Sequence, residues 1–248
     1  MTDKPIQLFE NKYQCCGCNA CEMVCGQKAI TMIEDKYGFR FPRIDVDKCV
    51  GCGRCLKVCC IRNDVILQKP ERVYAASYKN KDISAKSASG GIFAAFAKQV
   101  LAEGGIVFGS AYTKTFDVEV EPIEKVEELP KLQGSKYVQS SMNDSYQKVK
   151  RELQTGREVL FCGVPCQVAA LKRYLGRNYE NLLLVDILCH GVPSNKMLKD
   201  YLSFLSKKNR WKLNRFNFGQ RQKAKTCMAK LPTGKLAILA KLPTGKNH

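Results

Sequence analysis

Cysteine is the residue whose number and spacing in this sequence most clearly indicate chemistry. The chain has 248 residues and 14 cysteines, and ten of the cysteines lie between Cys15 and Cys60. Eight of these ten form two runs with the shared spacing C-x2-C-x2-C-x3-C, and the second run repeats the first at an offset of 34 residues. The runs are Cys15, Cys18, Cys21 and Cys25, then Cys49, Cys52, Cys55 and Cys59. Eight thiols at one offset indicate two copies of one kind of binding site.

The spacing favours iron–sulfur clusters over zinc. Zinc sites usually pair two cysteines and take their other ligands many residues later. Three cysteines at three-residue steps, with a fourth soon after, suit a cubane cluster, and in two-cluster ferredoxins the fourth cysteine binds the cluster of the other run. We therefore predict two [4Fe-4S] clusters, one held by Cys15, Cys18, Cys21 and Cys59 and the other by Cys49, Cys52, Cys55 and Cys25. Zinc, or a coincidental group of buried thiols, is the alternative.

The segments around the two runs predict a small unit stabilised by its clusters. Residues Ala29–Glu34 and Phe39–Ile44 have the pattern of two strands joined by a turn, and Val65–Gln68 is the predicted closing strand. A unit of about 60 residues buries little apolar surface, so we expect the clusters to hold it together.

Two features depart from the usual two-cluster pattern. The position after the fourth cysteine of a run is usually proline, but here it is Gly26 and Cys60. Cys16 and Cys60 are also surplus to the eight ligands, and we interpret both as buried or partly buried thiols near a cluster.

The composition excludes several classes of protein. With 45% apolar residues the chain is not disordered, and it lacks the roughly 18–20 uninterrupted apolar residues of a membrane span. Its first residues contain no apolar segment of a secretory signal, so we expect a cytoplasmic protein rather than a secreted disulfide scaffold. The formal charge is +18, but most of it follows Lys196, and a single Trp accompanies it. We therefore expect no nucleic-acid partner.

After Pro70 the pattern changes to alternating strands and helices. Ser89 is a plausible cap for the second of them. The predicted elements are Arg72–Tyr78, Ile92–Ala102, Ile106–Tyr112, Val118–Ile123, Ser145–Gln154, Glu158–Cys162, Val168–Leu175, Leu182–Leu188, a helix from Ser194 to Lys207, and Leu213–Phe218. The later elements follow a βαβα order, which predicts parallel strands with a ligand site at their carboxyl ends. The turns at residues 163–167 and 189–193, each with Gly, Pro and a thiol, lie there.

Taken together, the double cysteine run and four further motifs resemble the beta-subunit family of coenzyme F-420 (deazaflavin) hydrogenases and dehydrogenases. The match runs from about Cys15 to Lys207, and relatives that fuse a two-cluster ferredoxin to this domain are the most similar. The motifs are Ser87-Ala-Ser-Gly-Gly-Ile-Phe93, Gly134-Ser-Lys-Tyr-Val-Gln-Ser140, Phe161-Cys-Gly-Val-Pro-Cys-Gln167 and Asp186-Ile-Leu-Cys-His-Gly-Val-Pro193.

The resemblance implies an α+β fold in three parts. A small ferredoxin-like two-cluster domain spans residues 1–70, and an α/β flavin-type domain with a partly parallel sheet spans residues 71–218. Residues 219–248 form a basic tail. The tail contains the heptapeptide Ala-Lys-Leu-Pro-Thr-Gly-Lys twice, from Ala229 and from Ala240, and we expect it to be disordered, loosely folded or truncated.

The resemblance also implies FAD in the α/β domain. By motif match, the residues around FAD and substrate are Ser89, Gly90, Gly91, Lys136, Gly163, Pro165, Cys166, Gln167 and His190. The family commonly has Thr where this chain has Val164, which removes one polar contact. Taken singly, these residues are also typical of structural roles: Gly-Gly is common before helices, and His190 in a turn is usually a structural hydrogen-bonding residue. A disulfide between Cys162 and Cys166 is disfavoured, because C-x3-C is not the usual redox spacing.

The implied function is an iron–sulfur flavoprotein oxidoreductase. A two-electron hydride donor, such as reduced deazaflavin, exchanges a hydride with FAD, and single electrons then pass through the two clusters to a redox partner protein or ferredoxin. The small-molecule partner is the hydride donor or acceptor. The alternative is an electron-transfer subunit that binds two clusters without flavin, its α/β part serving for docking. A nucleic-acid-binding protein that uses the basic tail is a third, disfavoured class.

Overall fold

The computed structural model describes residues 6–63, 73–209, 215–218, 226–230 and 236–241. The N-terminal unit, residues 6–63, begins with a 3-10 helix, Lys12–Gln14, before helix α1, Ala20–Val24. It continues with strands β1, Ile30–Glu34, and β2, Arg40–Ile44, and helix α2, Arg54–Val58. The two strands pair antiparallel, with Ile30 opposite Ile44. Both strands predicted from the sequence are confirmed to within one residue, whereas Val65–Gln68 lies outside the described residues.

The sequence repeat is also a repeat of backbone conformation. Gly17 and Gly51, which are equivalent in the two runs, both have a φ of +66°. Helices α1 and α2 are each preceded by a left-handed residue, Asn19 with φ +62° and Gly53 with φ +70°. Each helix is then capped at its C-terminal end by the fourth cysteine of its run. The two loops therefore turn in the same way and present their thiols alike.

The α/β unit, residues 73–209, contains eight helices and strands that the sequence patterns predicted. It also contains two short α-helices, α3 and α5, and a 3-10 helix, Val126–Glu128, that they did not predict. Its elements are α3 Lys81–Lys86, α4 Ile92–Ala102, β3 Ile106–Tyr112, β4 Val118–Ile123, α5 Leu129–Leu132, α6 Ser145–Gln154, β5 Val159–Gly163, α7 Pro165–Leu175, β6 Leu182–Asp186 and α8 Asn195–Asn209. None of the helices in the described part of the chain combines the length and apolar character needed to cross a membrane.

The sheet of the α/β unit is partly parallel, as predicted. Its strand order is β4-β3-β5-β6, with β3, β5 and β6 mutually parallel and β4 antiparallel at one edge. Val159 and Phe161 of the central strand β5 pack with α6 and α7 on one face. Leu160 packs with α4 on the other face. Because helices cover both faces, the middle of β5 is continuously apolar rather than alternating.

Several sequence expectations need correction at element boundaries. Residues 73–78 form no strand in this structure. Gly91, not Ser89, is the residue that precedes α4. Helix α7 starts at Pro165 instead of Val168, because proline suits the first turn of a helix and Gln167 caps it by accepting a hydrogen bond from the Val164 amide. Strand β6 ends at Asp186, so Ile187 and Leu188 lie beyond it.

Among the described residues after the α/β unit, three strands form a separate antiparallel sheet. They are β7 Arg215–Phe218, β8 Thr226–Lys230 and β9 Leu236–Lys241. Strands β8 and β9 fall within the tail for which no regular structure was expected. The first two residues of each heptapeptide copy end β8 and β9, and the other residues of both copies lie outside the described residues, as do residues 213 and 214 of the predicted final strand.

The N-terminal unit packs against the α6 and α7 face of the sheet. Cys18, Ala20 and Val58 are buried in the same apolar core as Tyr146 and Phe161. Hydrogen bonds also join the N-terminal unit to the α/β unit. The Arg40 guanidinium donates to Ser141 Oγ at 2.7 Å. The Gln147 amide donates to Met23 O at 3.2 Å, and the Gln139 amide donates to Cys16 O at 3.3 Å. A continuous core of this kind fixes the cysteine-rich loops beside the first turn of α7.

Candidate iron–sulfur and thiol sites

A first cavity of about 310 Å³ lies between the first cysteine run and the end of the second. Its walls include the four thiols predicted to hold one cluster, which are Cys15, Cys18, Cys21 and Cys59. Cys16 lines the same cavity. Apolar side chains of Leu8, Met32 and Ile61 form much of the remaining wall.

A second cavity of about 180 Å³ lies at the other end of the N-terminal unit. The four thiols in its wall are Cys25, Cys49, Cys52 and Cys55. Each cavity therefore combines three cysteines of one run with the fourth cysteine of the other. This crossing arises because α1 and α2 pack against each other, so that the thiol at the end of each helix reaches the neighbouring loop.

The surroundings of three of these thiols, those of Cys15, Cys21 and Cys55, favour the neutral form. Burial raises the pKa of Cys15 to about 11. It also raises the pKa values of Cys21 and Cys55, and the neighbouring thiols of the same cavity add to both shifts. Iron replaces these protons when it binds, so cluster loading and proton release are coupled.

Backbone amides point at the sulfurs as they do in iron–sulfur sites. The Gly17 amide donates to Cys15 Sγ at 3.4 Å, and the Ala29 amide donates to Cys25 Sγ at 3.3 Å. Hydrogen bonds of this kind stabilise negative charge on cluster sulfurs and raise the reduction potential. Four thiols around each cavity, together with such amides, fit an iron–sulfur cluster in both cavities.

The two surplus cysteines of the N-terminal unit lie together. Cys16 Sγ and Cys60 Sγ are 3.9 Å apart, and the sulfurs of Cys16, Cys18 and Cys60 all lie within 4.8 Å of one another. Hydrogen bonds from the thiols of Cys166, Cys18 and Cys60 lower the pKa of Cys16. The expectation that Cys60 is buried is met, with 4% of its surface exposed. Sequence reasoning missed their meeting, although each directly follows a predicted ligand of the same cluster.

Cys166 and Gln167, predicted for the flavin site, lie in the first turn of α7 facing the N-terminal unit. Cys166 packs against the core that contains Cys18 and Cys60. The Gln167 side chain is buried, and its two polar atoms are already paired: Oε1 accepts from the Val164 amide at 3.1 Å, and Nε2 donates to Ser140 Oγ at 2.8 Å. Gln167 therefore holds the turn in place rather than presenting a free amide.

Lys136 lies on the other side of the sheet. Its ammonium donates to the carbonyl oxygens of Lys131 and Gln133, each at 3.0 Å. Burial lowers the pKa of Lys136 to about 8, while the nearby Cys162 acts to raise it. Burial raises the pKa of Cys162 to about 11, with Lys136 opposing and Asp186 reinforcing that shift. Cys162 is thus a neighbour of Lys136, and Asp186 a neighbour of Cys162, that the motif resemblance did not name among the site residues.

The remaining predicted flavin residues occupy the rim of the α/β unit. Gly90 is close to the chain at residue 76, since a Cβ there would lie 2.4 Å from Ala76 O. Gly91 has a φ of +80° at the start of α4. Ser89 and His190 are exposed, and Gly163 pairs with Asp186 across β5 and β6. The nine predicted residues therefore lie on both faces of the sheet, with Cys166 on one face and Lys136 near Cys162 on the other.

Comparisons with known protein families match two separate parts of the chain. Residues 14–62 match the family model of the 4Fe-4S dicluster domain. Residues 156–240 match the family model for the C terminus of the coenzyme F420 hydrogenase/dehydrogenase beta subunit. No curated protein matches the chain.

Among solved structures, a chain of the F420-reducing [NiFe] hydrogenase complex from Methanosarcina barkeri, studied by xenon derivatization, is similar. The two chains are 20% identical and have a TM-score of 0.47. The similarity covers 65% of this chain and 57% of the hydrogenase chain.

Proposed function

We propose that this chain, whose residues 14–62 match the 4Fe-4S dicluster domain and whose residues 156–240 match the C terminus of the coenzyme F420 hydrogenase/dehydrogenase beta subunit, is an electron-transferring oxidoreductase subunit. Its N-terminal unit takes two [4Fe-4S] clusters, one in each cavity. The ligands are Cys15, Cys18, Cys21 and Cys59 in the first cavity and Cys49, Cys52, Cys55 and Cys25 in the second.

The observation that carries the proposal is the crossed lining of the two cavities. Eight thiols from two runs divide into two groups of four, each group around its own cavity, and neither group is a single run. Coincidental burial of cysteines gives no reason for such a division. Iron–sulfur cubes do, since the fourth cysteine of each run belongs to the other cluster in two-cluster ferredoxins.

The side chains and amides of the N-terminal unit supply what a cluster requires. When bound, each cluster accepts and releases one electron at a time. The thiolates would bind it, the amides of Gly17 and Ala29 would stabilise negative charge at two of the sulfurs, and Leu8, Met32 and Ile61 give the first cavity part of an apolar lining. These features favour electron transfer over hydrolysis or group transfer.

In the α/β unit the finer proposal is FAD, which lets a hydride donor such as reduced deazaflavin exchange a pair of electrons with carriers of single electrons. Its support is the close backbone approach at Gly90, the N-terminal end of the 11-residue helix α4, and the cationic Lys136. Helix N-termini attract phosphate groups such as those of a dinucleotide. The partner that receives single electrons is then a redox protein such as a ferredoxin.

The second candidate function is electron transfer through the clusters without flavin. It is favoured by the internal pairing of Gln167 and by the separation of Cys166 and Lys136 on opposite faces of the sheet. In that case the α/β unit acts as a docking module for a catalytic partner.

Anaerobic purification followed by iron, sulfide and flavin analysis tests both candidates. About eight irons per chain with bound flavin support the flavoprotein, and the same iron content without flavin supports the carrier. Failure to bind iron after reconstitution with iron and sulfide rejects both.

Electron paramagnetic resonance of cysteine variants tests the ligand sets. Cys15→Ser and Cys59→Ser should alter the same cluster signal, and Cys49→Ser and Cys25→Ser should alter the other one. If each run instead holds its own cluster, Cys15→Ser and Cys25→Ser will alter the same signal. Cys162→Ser, which lies outside both cavities, is the matched control and should alter neither.

A further inference from the structure

The two cavities of the N-terminal unit differ in how openly they face solvent. Among the eight predicted cluster ligands only Cys52 is exposed, and it lines the second cavity. None of the four thiols around the first cavity is exposed, and Cys18 there is buried. The loop that carries Cys52 is bare on its outer side, since a Cβ added at Gly51 or Gly53 meets no atom within 4 Å. A partner protein can therefore approach the second cavity more closely than the first.

The two cavities also adjoin different apolar cores. Cys18 of the first cavity is buried in the core that contains Phe161 of the α/β unit. Cys55 of the second cavity is buried with Ile30, in the core of the N-terminal unit itself. Of the two cavities, the first is thus the one joined to the α/β unit, and the second is the one that opens at the surface.

The mouth of the second cavity carries an excess of positive charge. Among the described residues in its wall, Arg54 is the charged one, whereas the wall of the first cavity holds the opposite charges of Glu10 and Arg62. Residues 26–28 and 47–57, which include the exposed wall segments, contain four exposed basic side chains and one exposed acidic side chain. They are Lys28, Lys48, Arg54 and Lys57, against Asp47.

The arrangement of these side chains is typical of a protein interface. Val50, beside Cys49 in the cavity wall, is 56% exposed. Arg54 and Lys57 are three residues apart on α2 and therefore share one face of that helix. An apolar centre with a charged rim is the usual composition of an interface between proteins. A rim of one charge sign speeds association with a partner of the opposite sign.

We propose that this surface docks a small acidic protein that carries single electrons, such as a ferredoxin. We call it the Cys52 face, and it consists of Lys28, Lys48, Val50, Cys52, Arg54 and Lys57. The inference rests on the proposed function, because the partner exchanges electrons with the cluster of the second cavity. One electron passes between that cluster and the iron–sulfur centre of the partner, so that one is oxidised as the other is reduced, and no bond forms or breaks.

The test measures association of the iron-loaded full chain with a purified acidic ferredoxin that holds two [4Fe-4S] clusters, both proteins being oxidised. Stopped-flow or surface-based kinetics should show an association rate constant that falls as the ionic strength rises from about 0.01 M to about 0.15 M, because charges are then screened beyond about 8 Å. The double variant Arg54→Glu, Lys57→Glu should lower this rate constant about tenfold at low salt.

The matched control is Lys86→Glu, which should leave the association rate constant unchanged. Lys86 is exposed on α3, and Ile83 of that helix packs in the core on the other face of the sheet from the N-terminal unit. If the double variant takes up less iron than the wild type, Lys57→Glu alone decides the matter, because Lys57 is not in the wall of the cavity.

Carbodiimide cross-linking of the wild-type complex, followed by mass spectrometry, locates the contact because it joins lysine amines directly to carboxylates. Cross-links should fall on Lys28, Lys48 and Lys57. Four results overturn the proposal: no binding by the iron-loaded chain, cross-links only at other lysines, an unchanged rate constant in the charge-reversed variant, or equally fast binding of a basic cytochrome c. A wild-type chain that takes up no iron instead fails the proposed function, so the two failures are distinct.

Discussion

The N-terminal unit and the α/β unit position their chemistry in different ways. In the N-terminal unit the thiols occur at fixed short spacings, and equivalent left-handed residues such as Gly17 and Gly51 turn both loops alike. In the α/β unit, Lys136 is far in sequence from Cys162 and Cys166. Cys162 and Cys166 are close in sequence, but they pack on opposite faces of the sheet. Local spacing therefore places three of the four thiols of each cavity in the N-terminal unit, whereas the candidate residues of the α/β unit are arranged only by packing.

The largest expected effect concerns what stabilises each unit. Chelation of iron under anaerobic reducing conditions should unfold the N-terminal unit, because so small a unit buries little apolar surface without its clusters. Limited proteolysis followed by mass spectrometry should then show cleavage within residues 6–63 before cleavage within residues 73–209. If the two units resist proteolysis equally with and without iron, the N-terminal unit does not depend on its clusters for stability.

A substitution in the apolar core should instead lower the stability of the α/β unit. Phe161 is fully buried, with its ring centroid 6.2 Å from that of Tyr146, so Phe161→Ala should lower the free energy of unfolding by about 3–5 kcal/mol. Denaturant unfolding measures this loss, and the iron content should stay unchanged. Phe96→Ala, at a side chain 40% exposed, is the control and should cost clearly less.

The pH dependence of the unfolding free energy tests the burial of the Lys136 ammonium. Burial lowers its pKa in the folded chain from 10.5 to about 8. Between these values the unfolded chain binds more protons, so stability should rise with pH in that window, by on the order of 1 kcal/mol per pH unit. Below pH 8 the cost of burying the charge is fully present.

Lys136→Met should remove this pH dependence, measured as the difference between variant and wild-type unfolding free energies from pH 7 to 10. The exposed Lys125→Met is the control and should follow the wild-type profile. A variant profile parallel to that of the wild type would contradict the assignment to Lys136.

The smallest expected effect compares two equivalent glycines of the repeat. Alanine at either position is strained by the positive φ, at a cost of about 1–2 kcal/mol. At Gly51 the added Cβ meets open space, whereas at Gly17 it lies 3.1 Å from Arg40 O and 2.5 Å from the Gln139 amide. Gly17→Ala should therefore destabilise more than Gly51→Ala in denaturant unfolding, and equal losses would show that the contact with the α/β unit is not tight.

The elements of the α/β unit could be predicted largely because their apolar periods are long and regular, as in α4, β3 and α6. Shorter elements such as α3 and α5 were missed, since six and four residues give too little pattern to separate from a turn. The start of α7 was misplaced because its first turn contains proline, which in sequence suggests a loop.

By itself, the sequence determined that eight cysteines form two runs of one spacing at an offset of 34 residues, and that spacing predicts the two sets of four cluster ligands. Only the tertiary structure decided that Cys16 lies beside Cys60 and that Cys60 contacts the Cys166 carbonyl, since these contacts depend on how α1 and α2 pack on each other and on α7. It also decided that the Gln167 side-chain amide is hydrogen-bonded within the protein and that Lys136 lies beside Cys162. Contacts between distant segments follow from the burial of apolar faces, and residue spacing alone does not encode them.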